Sequence, residues 1–184
     1  MSNSAISRHN VGRIAERIVS NELEYRGFRV SDLNKEGLSA NADLLAVKNG
    51  IPWQVQVKGA TEDNGWWVNY GFAHQKIIER KRTMYNAADG FYRAQVVILV
   101  CVKSPTEYRC VVLPVDTAEA AAQLNLDHAF RTPKRDGSPK KPGKAWTSIG
   151  YMAKTNDAVL AQIRNDEQTL LLPYVDDWGS AFNE

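Results

Sequence analysis

Between Val11 and Leu23 the apolar residues fall at 11, 14, 15, 18, 19 and 23, the spacing of a helix with one buried stripe, and Gly27 supplies its C-terminal stop. One acidic residue stands out on that helix. Glu16 shares a line with Gly12, Val19 and Leu23, so it stands at the edge of the buried face and not out in water. Phe28 to Val30 suggests a short strand and 34–41 a loop. The runs ADLLAV and IPWQVQVK then alternate around Lys48-Asn49-Gly50, and Asn-Gly between alternating runs is the strongest short-range hairpin signal. Residues 61–72 read as a loop followed by a short aromatic strand, and 73 to about 87 as a helix. QVVILVCV, 95–102, is a nearly continuous apolar run of the kind found in a strand covered on both faces, and YRCVVLPV, 108–115, follows after a turn. Asp116 and Glu119 have the form of a capping box opening a helix through AEAAAQLNL. Further on, WTSIGYM suggests a strand and DAVLAQIRND a helix; the acidic tail from Leu170 is compatible with packing or with mobility. The order of elements describes an α/β fold, one mixed β-sheet flanked by helices.

Composition narrows this picture. A chain of 184 residues with 43% hydrophobic and 24% charged residues suits a single globular domain. No run approaches the roughly 18 unbroken apolar residues of a membrane helix, and the polar start MSNSAISRHN lacks the apolar core of a signal peptide. The expected compartment is the cytoplasm. Cys101 and Cys110 sit inside apolar strand-like runs, away from any CxxC or Cys/His cluster, and read as reduced core residues.

A net charge of +2 does not by itself argue for nucleic acid, so the placement of charge has to. The segment RTPKRDGSPKKPGK sets Arg131, Lys134, Arg135, Lys140, Lys141 and Lys144 against a single Asp136, among prolines and glycines that forbid regular structure. It reads as a flexible basic loop, 131–144, able to order on a duplex. On the expected 73–87 helix, Lys76 and Arg80 stand one turn apart, with Lys81 and Arg82 following. Such residues would contact phosphates and position a protein without reading sequence. The bland alternative for both is a solvated surface. Trp66, Trp67, Tyr70 and Phe72 have the same two readings, a stacking platform for exposed bases or, more often, core. A histidine at a helix start, His74, is more often a solvated or capping residue than an acid.

The hairpin sets a register. If Asn49-Gly50 is a two-residue loop, Lys48 faces Ile51 and partner numbers add to 99, which puts Asp43 opposite Gln56 and Leu45 opposite Gln54. Asp43, Gln56 and Lys58 then share one face, with opposed Cβ atoms about 5 Å apart. With Glu16 arriving from a helix at the sheet edge, the set offers hard oxygen donors and a cation, which suits Mg²⁺ and a phosphate. A polar-apolar alternation ending in lysine is also what any half-exposed strand looks like. Gln54 has no catalytic role in this reading.

The series Gly12-xxx-Glu16, Ala42-Asp43 and Gln56-Val57-Lys58 resembles the PD-(D/E)xK nuclease superfamily, with its restriction endonuclease-like fold, in the branch with QxK in place of ExK found in Mrr-like enzymes. The resemblance covers about the first 60 residues by motif. It implies an endonuclease that hydrolyses DNA with Mg²⁺, or Mn²⁺ in its place. It also implies a role for each residue: Asp43 as main metal ligand, Glu16 as the helix carboxylate near the metal, Gln56 in place of the usual acidic ligand, the Val57 carbonyl as a further ligand, and Lys58 as the catalytic lysine. Two departures stand out: Ala42 replaces the expected proline, and Gln56 removes one negative charge from the site. Restriction-like or resolvase-like cutting is the first expectation, and a homodimer would account for cutting two strands. The alternatives are a catalytically inactive nuclease-fold module that binds DNA and, third, a protein–protein interaction domain.

Overall fold

A computed structural model of the chain describes residues 8–34, 42–61, 66–69, 94–104, 106–131, 136–138, 144–147 and 158–182. Its sheet grows out of the Asn49-Gly50 turn. Both residues have positive φ, 52° and 80°, the combination that a tight hairpin needs and that asparagine and glycine tolerate best. The turn joins β2 (Leu44–Lys48) to β3 (Ile51–Thr61), paired from Lys48↔Ile51 to Leu44↔Val55 in the register expected from the sequence. Pro52 lies opposite Val47. In a two-residue hairpin that pair exchanges no hydrogen bonds, so the proline's missing N–H costs nothing on this side, and pairing on the other edge of β3 begins only at Val55.

Five strands form the main sheet in the order β1-β2-β3-β5-β6, with β1 at Arg29–Asp32, β5 at Val96–Ser104 and β6 at Glu107–Pro114. β3 and β5 run parallel and the other pairs antiparallel, so the sheet is mixed. β4 (Trp66–Asn69) and β7 (Lys144–Thr147) form a separate two-stranded sheet. The parallel β3–β5 pair requires a crossover, and the helix expected at 73–87 falls within that connection, outside the described residues. Where parallel pairing begins, Gln54 and Gln95 stitch the strands together. The Gln54 N–H donates to the Gln95 side-chain carbonyl at 2.7 Å, and the Gln95 N–H donates to the Gln54 carbonyl at 2.9 Å.

Helices cover both faces. α1 (Arg8–Tyr25) lays Val11, Ala15, Ile18, Val19 and Leu23 on a core that includes Val55, Val57, Val96, Ile98, Val100 and Val112. It ends in a Schellman motif, with Phe28 N–H donating to the Leu23 carbonyl at 3.1 Å, Gly27 N–H to Glu24 at 2.9 Å, and Gly27 at φ 85°. On the opposite face α2 (Val115–Arg131) sets Ala118, Ala121 and Ala122 against Ala60, Val97, Leu99, Val111 and Leu113, with Leu171 of α3 (Ala158–Leu171). β5 is buried from both sides, as its apolar run predicts. Closest approach is at Gly59, where a Cβ would lie 2.8 Å from the Ala15 Cβ and 2.9 Å from the Val11 carbonyl oxygen. Only glycine lets α1 cross β3 this tightly.

The tail packs. After α3 come two 3₁₀ turns, Leu172–Tyr174 and Ser180–Phe182. Between them Val175 bridges to Val111, and Asp176 N–H donates to the Cys110 carbonyl at 2.8 Å. Trp178 and Phe182 enter the core under α1, with Phe182 against Phe28 and Trp53 and the Arg26 guanidinium 4.4 Å above the Trp178 ring.

Several expected boundaries shift. α2 opens at Val115, so Asp116 lies inside its first turn and not at the cap, where its charge still suits the helix dipole. The helix runs past the AEAAAQLNL stretch to Arg131, which makes Arg131 a helical residue and not part of a loop; Lys144 likewise opens β7. Of the expected WTSIGYM strand, Trp146 and Thr147 lie on β7 and 148–152 lie outside the described residues. Cys101 is half-buried and Cys110 buried, and burial pushes the Cys110 thiol up to about 12. Among the described residues no helix is long and apolar enough to cross a membrane.

Candidate active site at the end of the hairpin

β2 stops at Leu44 while β3 continues to Thr61, so among the described residues the edge of β3 beyond Val55 has no antiparallel partner. Asp43 fills the first position past the break. Its backbone N–H donates to the Val55 carbonyl at 2.9 Å, and its carbonyl accepts from Leu33 N–H at 3.0 Å. The side chain turns to β3, where Oδ2 accepts the Val57 backbone N–H at 2.8 Å and the Gln56 amide NH₂. The carboxylate thus lies at the sheet edge, on the β3 backbone just past the end of β2. Asp43 and Gln56 meet, as the register from Asn49-Gly50 requires.

Lys58 and Gln56 alternate with Val55 and Val57, which belong to the core under α1, so the lysine and the glutamine share the other face. Glu16 reaches the same edge from α1. It follows Ala15, the residue seated over Gly59, and is half-buried. Its carboxyl pKa is raised, first by burial and then by the negative charges of Asp43 and Asp32, against the opposing pull of Lys58 and Arg13. The Lys58 ammonium has its pKa lowered because burial outweighs the attraction of Asp43 and Glu16. Each group therefore senses the others, and their charges are only partly balanced.

Two residues join this edge that the sequence pattern does not single out. Asp32, the last residue of β1 and paired with Leu44, contributes negative charge beside Glu16. Its Oδ1 accepts the Asn34 N–H at 3.1 Å, and the Asn34 side-chain amide reaches Asp43 Oδ1 at 3.4 Å. An Asx turn of the form D-x-N at the end of a strand is the one local signal that would have marked them.

Of the other candidates, Lys76, Arg80, Lys81, Lys134, Arg135, Lys140 and Lys141 lie outside the described residues, as do Tyr70, Phe72 and His74. Trp66 and Trp67 lie on β4, paired with Thr147 and Trp146. Among the described residues no three His, Cys, Asp or Glu side chains gather as a metal-binding group. The donors present are the Glu16 and Asp43 carboxylates and the Val57 carbonyl, since a strand residue's N–H and C=O point to the same edge and the Val57 N–H meets Asp43. They are hard oxygens around an excess of negative charge. Such a set fits a magnesium ion that keeps several of its waters.

Against known protein families and curated proteins the chain finds no match. Among solved structures it is similar to a bacterial homing endonuclease, I-Ssp6803I, with 15% identity, a TM-score of 0.41, and coverage of 89% of this chain and 91% of that one. It is also similar to MepB, with 10% identity, a TM-score of 0.35, and coverage of 85% and 94%. Likenesses of this size assign neither family nor activity.

Proposed function

We propose that the chain is a metal-dependent endonuclease of the PD-(D/E)xK kind that hydrolyses DNA phosphodiester bonds, either restriction-like or structure-specific. The observation that carries this reading is the Asp43 carboxylate, held on the Val57 N–H where β2 stops, with Glu16 and Lys58 turned to the same edge. Glu16, Asp43 and the Val57 carbonyl would hold a Mg²⁺ or Mn²⁺ ion. Bound there, the ion would polarise a phosphoryl oxygen and lower the pKa of a bound water.

The chain's own residues supply the rest. Glu16 and Asp43 keep the edge negative enough to select a cation over a bare phosphate. Lys58, on the strand position beyond Val57, would set its ammonium beside the phosphate, orient the attacking water and compensate charge as it builds on the phosphorane. Its depressed pKa makes that ammonium a stronger hydrogen-bond donor than a solvated lysine. The basic residues 76–81 and 131–141 would hold the backbone of the duplex, and a homodimer would bring a second site to the other strand.

A second reading, a DNA-binding module without turnover, is favoured by Gln56 at the place of an acid and by the absence of a three-acid cluster among the described residues. The two separate in one experiment. Purified protein is incubated with supercoiled plasmid, linear duplex and a branched junction in Mg²⁺, Mn²⁺ or EDTA. The nuclease reading predicts metal-dependent nicking, with the preferred substrate dividing restriction from junction resolution. Binding with a steep salt dependence and no product in any metal would give the site to the second reading.

A further inference from the structure

We propose that Gln56 is a positioning residue that orients Asp43 through its amide NH₂ and takes no place among the ligands of the ion. This inference rests on the nuclease reading of the same site. Gln56 is buried, on a strand whose neighbours Val55 and Val57 are fixed in the core, so its side chain has little freedom to sample other partners. The nitrogen, and not the oxygen, faces Asp43. That direction follows from charge, because an ionised carboxylate attracts an amide N–H and repels an amide carbonyl.

The bookkeeping of lone pairs then constrains the site. A carboxylate oxygen has two in-plane lone pairs, and those of Asp43 Oδ2 are met by the Gln56 amide and by the Val57 N–H at 2.8 Å. Among the described residues, Oδ1 receives the 3.4 Å approach of Asn34 and no shorter hydrogen bond. On the nuclease reading the ion would therefore be left to Oδ1. For Gln56 to act as a ligand its amide would have to turn over, give up Asp43 and aim its carbonyl at an ion already bound by the carboxylate it had been holding. A glutamate here would supply a ligand but no donor, and would repel Asp43. Glutamine at 56 thus exchanges a unit of ligand charge for a fixed carboxylate.

Side-chain amide NMR tests this directly. The Gln56 NH₂ resonance is identified by its loss in Gln56→Met, or by its NOE to the Val57 backbone amide if that variant folds poorly. One of its protons is expected downfield and slow to exchange in the ion-free protein, and it should stay so when Mg²⁺ is added until the Val57 amide stops shifting. Return of that proton to a free-amide position on adding Mg²⁺ would overturn the proposal and leave the nuclease reading standing; a free-amide position before any ion is added would overturn it as well. A Val57 amide that no concentration of Mg²⁺ moves would overturn both. In cleavage, Gln56→Glu is expected to fall by about 10- to 100-fold, the range for losing a group that orients a metal ligand. A Gln56→Glu enzyme as fast as the parent, or faster, would make residue 56 a ligand.

Discussion

Two carboxylates in this molecule are withdrawn from bulk water and are treated in opposite ways. Glu167, on α3, is fully buried, and both its oxygens are answered. Asn125 donates to Oε1 at 2.8 Å and Arg164 to Oε2 at 2.6 Å, while the same Arg164 nitrogen donates to the Asn125 carbonyl at 2.7 Å. That is a closed circuit between α2 and α3 in which a carboxylate meets a guanidinium. At the end of the hairpin burial drives Glu16 and Lys58 toward their neutral forms, while Asp43 and Asp32 raise the Glu16 pKa against the pull of Lys58 and Arg13. The first arrangement gives each oxygen of the carboxylate a donor and links two helices. The second leaves its charges only partly matched among the described residues, and on the proposed reading a cation would answer that mismatch.

The contrast makes crossed predictions. Glu167→Ala strands the Arg164 guanidinium without its carboxylate and should cost about 3–5 kcal/mol, the usual effect of breaking a buried pair. Urea denaturation measures this, and cleavage per folded molecule should be unchanged. Lys58→Met should do the reverse. Cleavage should fall by about 10²–10³-fold, as for the loss of one group that stabilises transition-state charge, while the urea midpoint holds or rises because a buried ammonium has gone. Equal losses of stability in the two variants would erase the distinction.

Gly59→Ala connects the two properties. The new Cβ meets the Val11 carbonyl and Ala15, so α1 must move away from β3. A stability loss of about 1–3 kcal/mol is expected, together with a loss of cleavage, because Glu16 travels with the helix. The smallest effect concerns a pair outside both clusters. Tyr108 donates to Glu22 Oε1 at 2.5 Å, and this bond, more than burial, raises the phenol pKa to about 12. The folded protein therefore keeps a proton that the unfolded chain releases near pH 10, so stability declines as pH rises from about 10 to about 12. Urea midpoints on either side of pH 10 should show a shallower alkaline decline in Tyr108→Phe.

How far the sequence discloses all this depends on the range of the interaction. Asn49-Gly50 dictates the β2–β3 register locally as far as Leu44↔Val55, and that register brings Asp43 beside Gln56, where backbone bonds to Val55 and Leu33 hold it. The stripe through Val19 and Leu23 is likewise enough to place Glu16 at the margin of α1. The parallel β3–β5 pairing has no local signal, because a buried apolar run does not specify its neighbour. Asp32 and Asn34 escaped because β1 is only four residues long and joins the edge through β2. Glu167 was legible in principle, since it shares a helical line with Leu160, Ile163 and Leu171, the same pattern that singled out Glu16. The packing of Trp178 and Phe182 was not, for with Tyr174 they recur every fourth residue, a helical spacing, in a tail that Pro173 and Gly179 keep from continuing as a helix.

On the proposed reading the Asp43 charge serves chemistry and not the fold. Asp43→Asn tests it most directly, because the amide keeps the size of the side chain and an oxygen that still accepts the Val57 N–H. The measurement is metal-dependent nicking of supercoiled plasmid by Asp43→Asn beside the parent protein, with thermal unfolding of both. Cleavage lost from a protein that melts where the parent does is the predicted result. Undiminished metal-dependent cleavage by the Asp43→Asn variant would place the active site elsewhere in the chain.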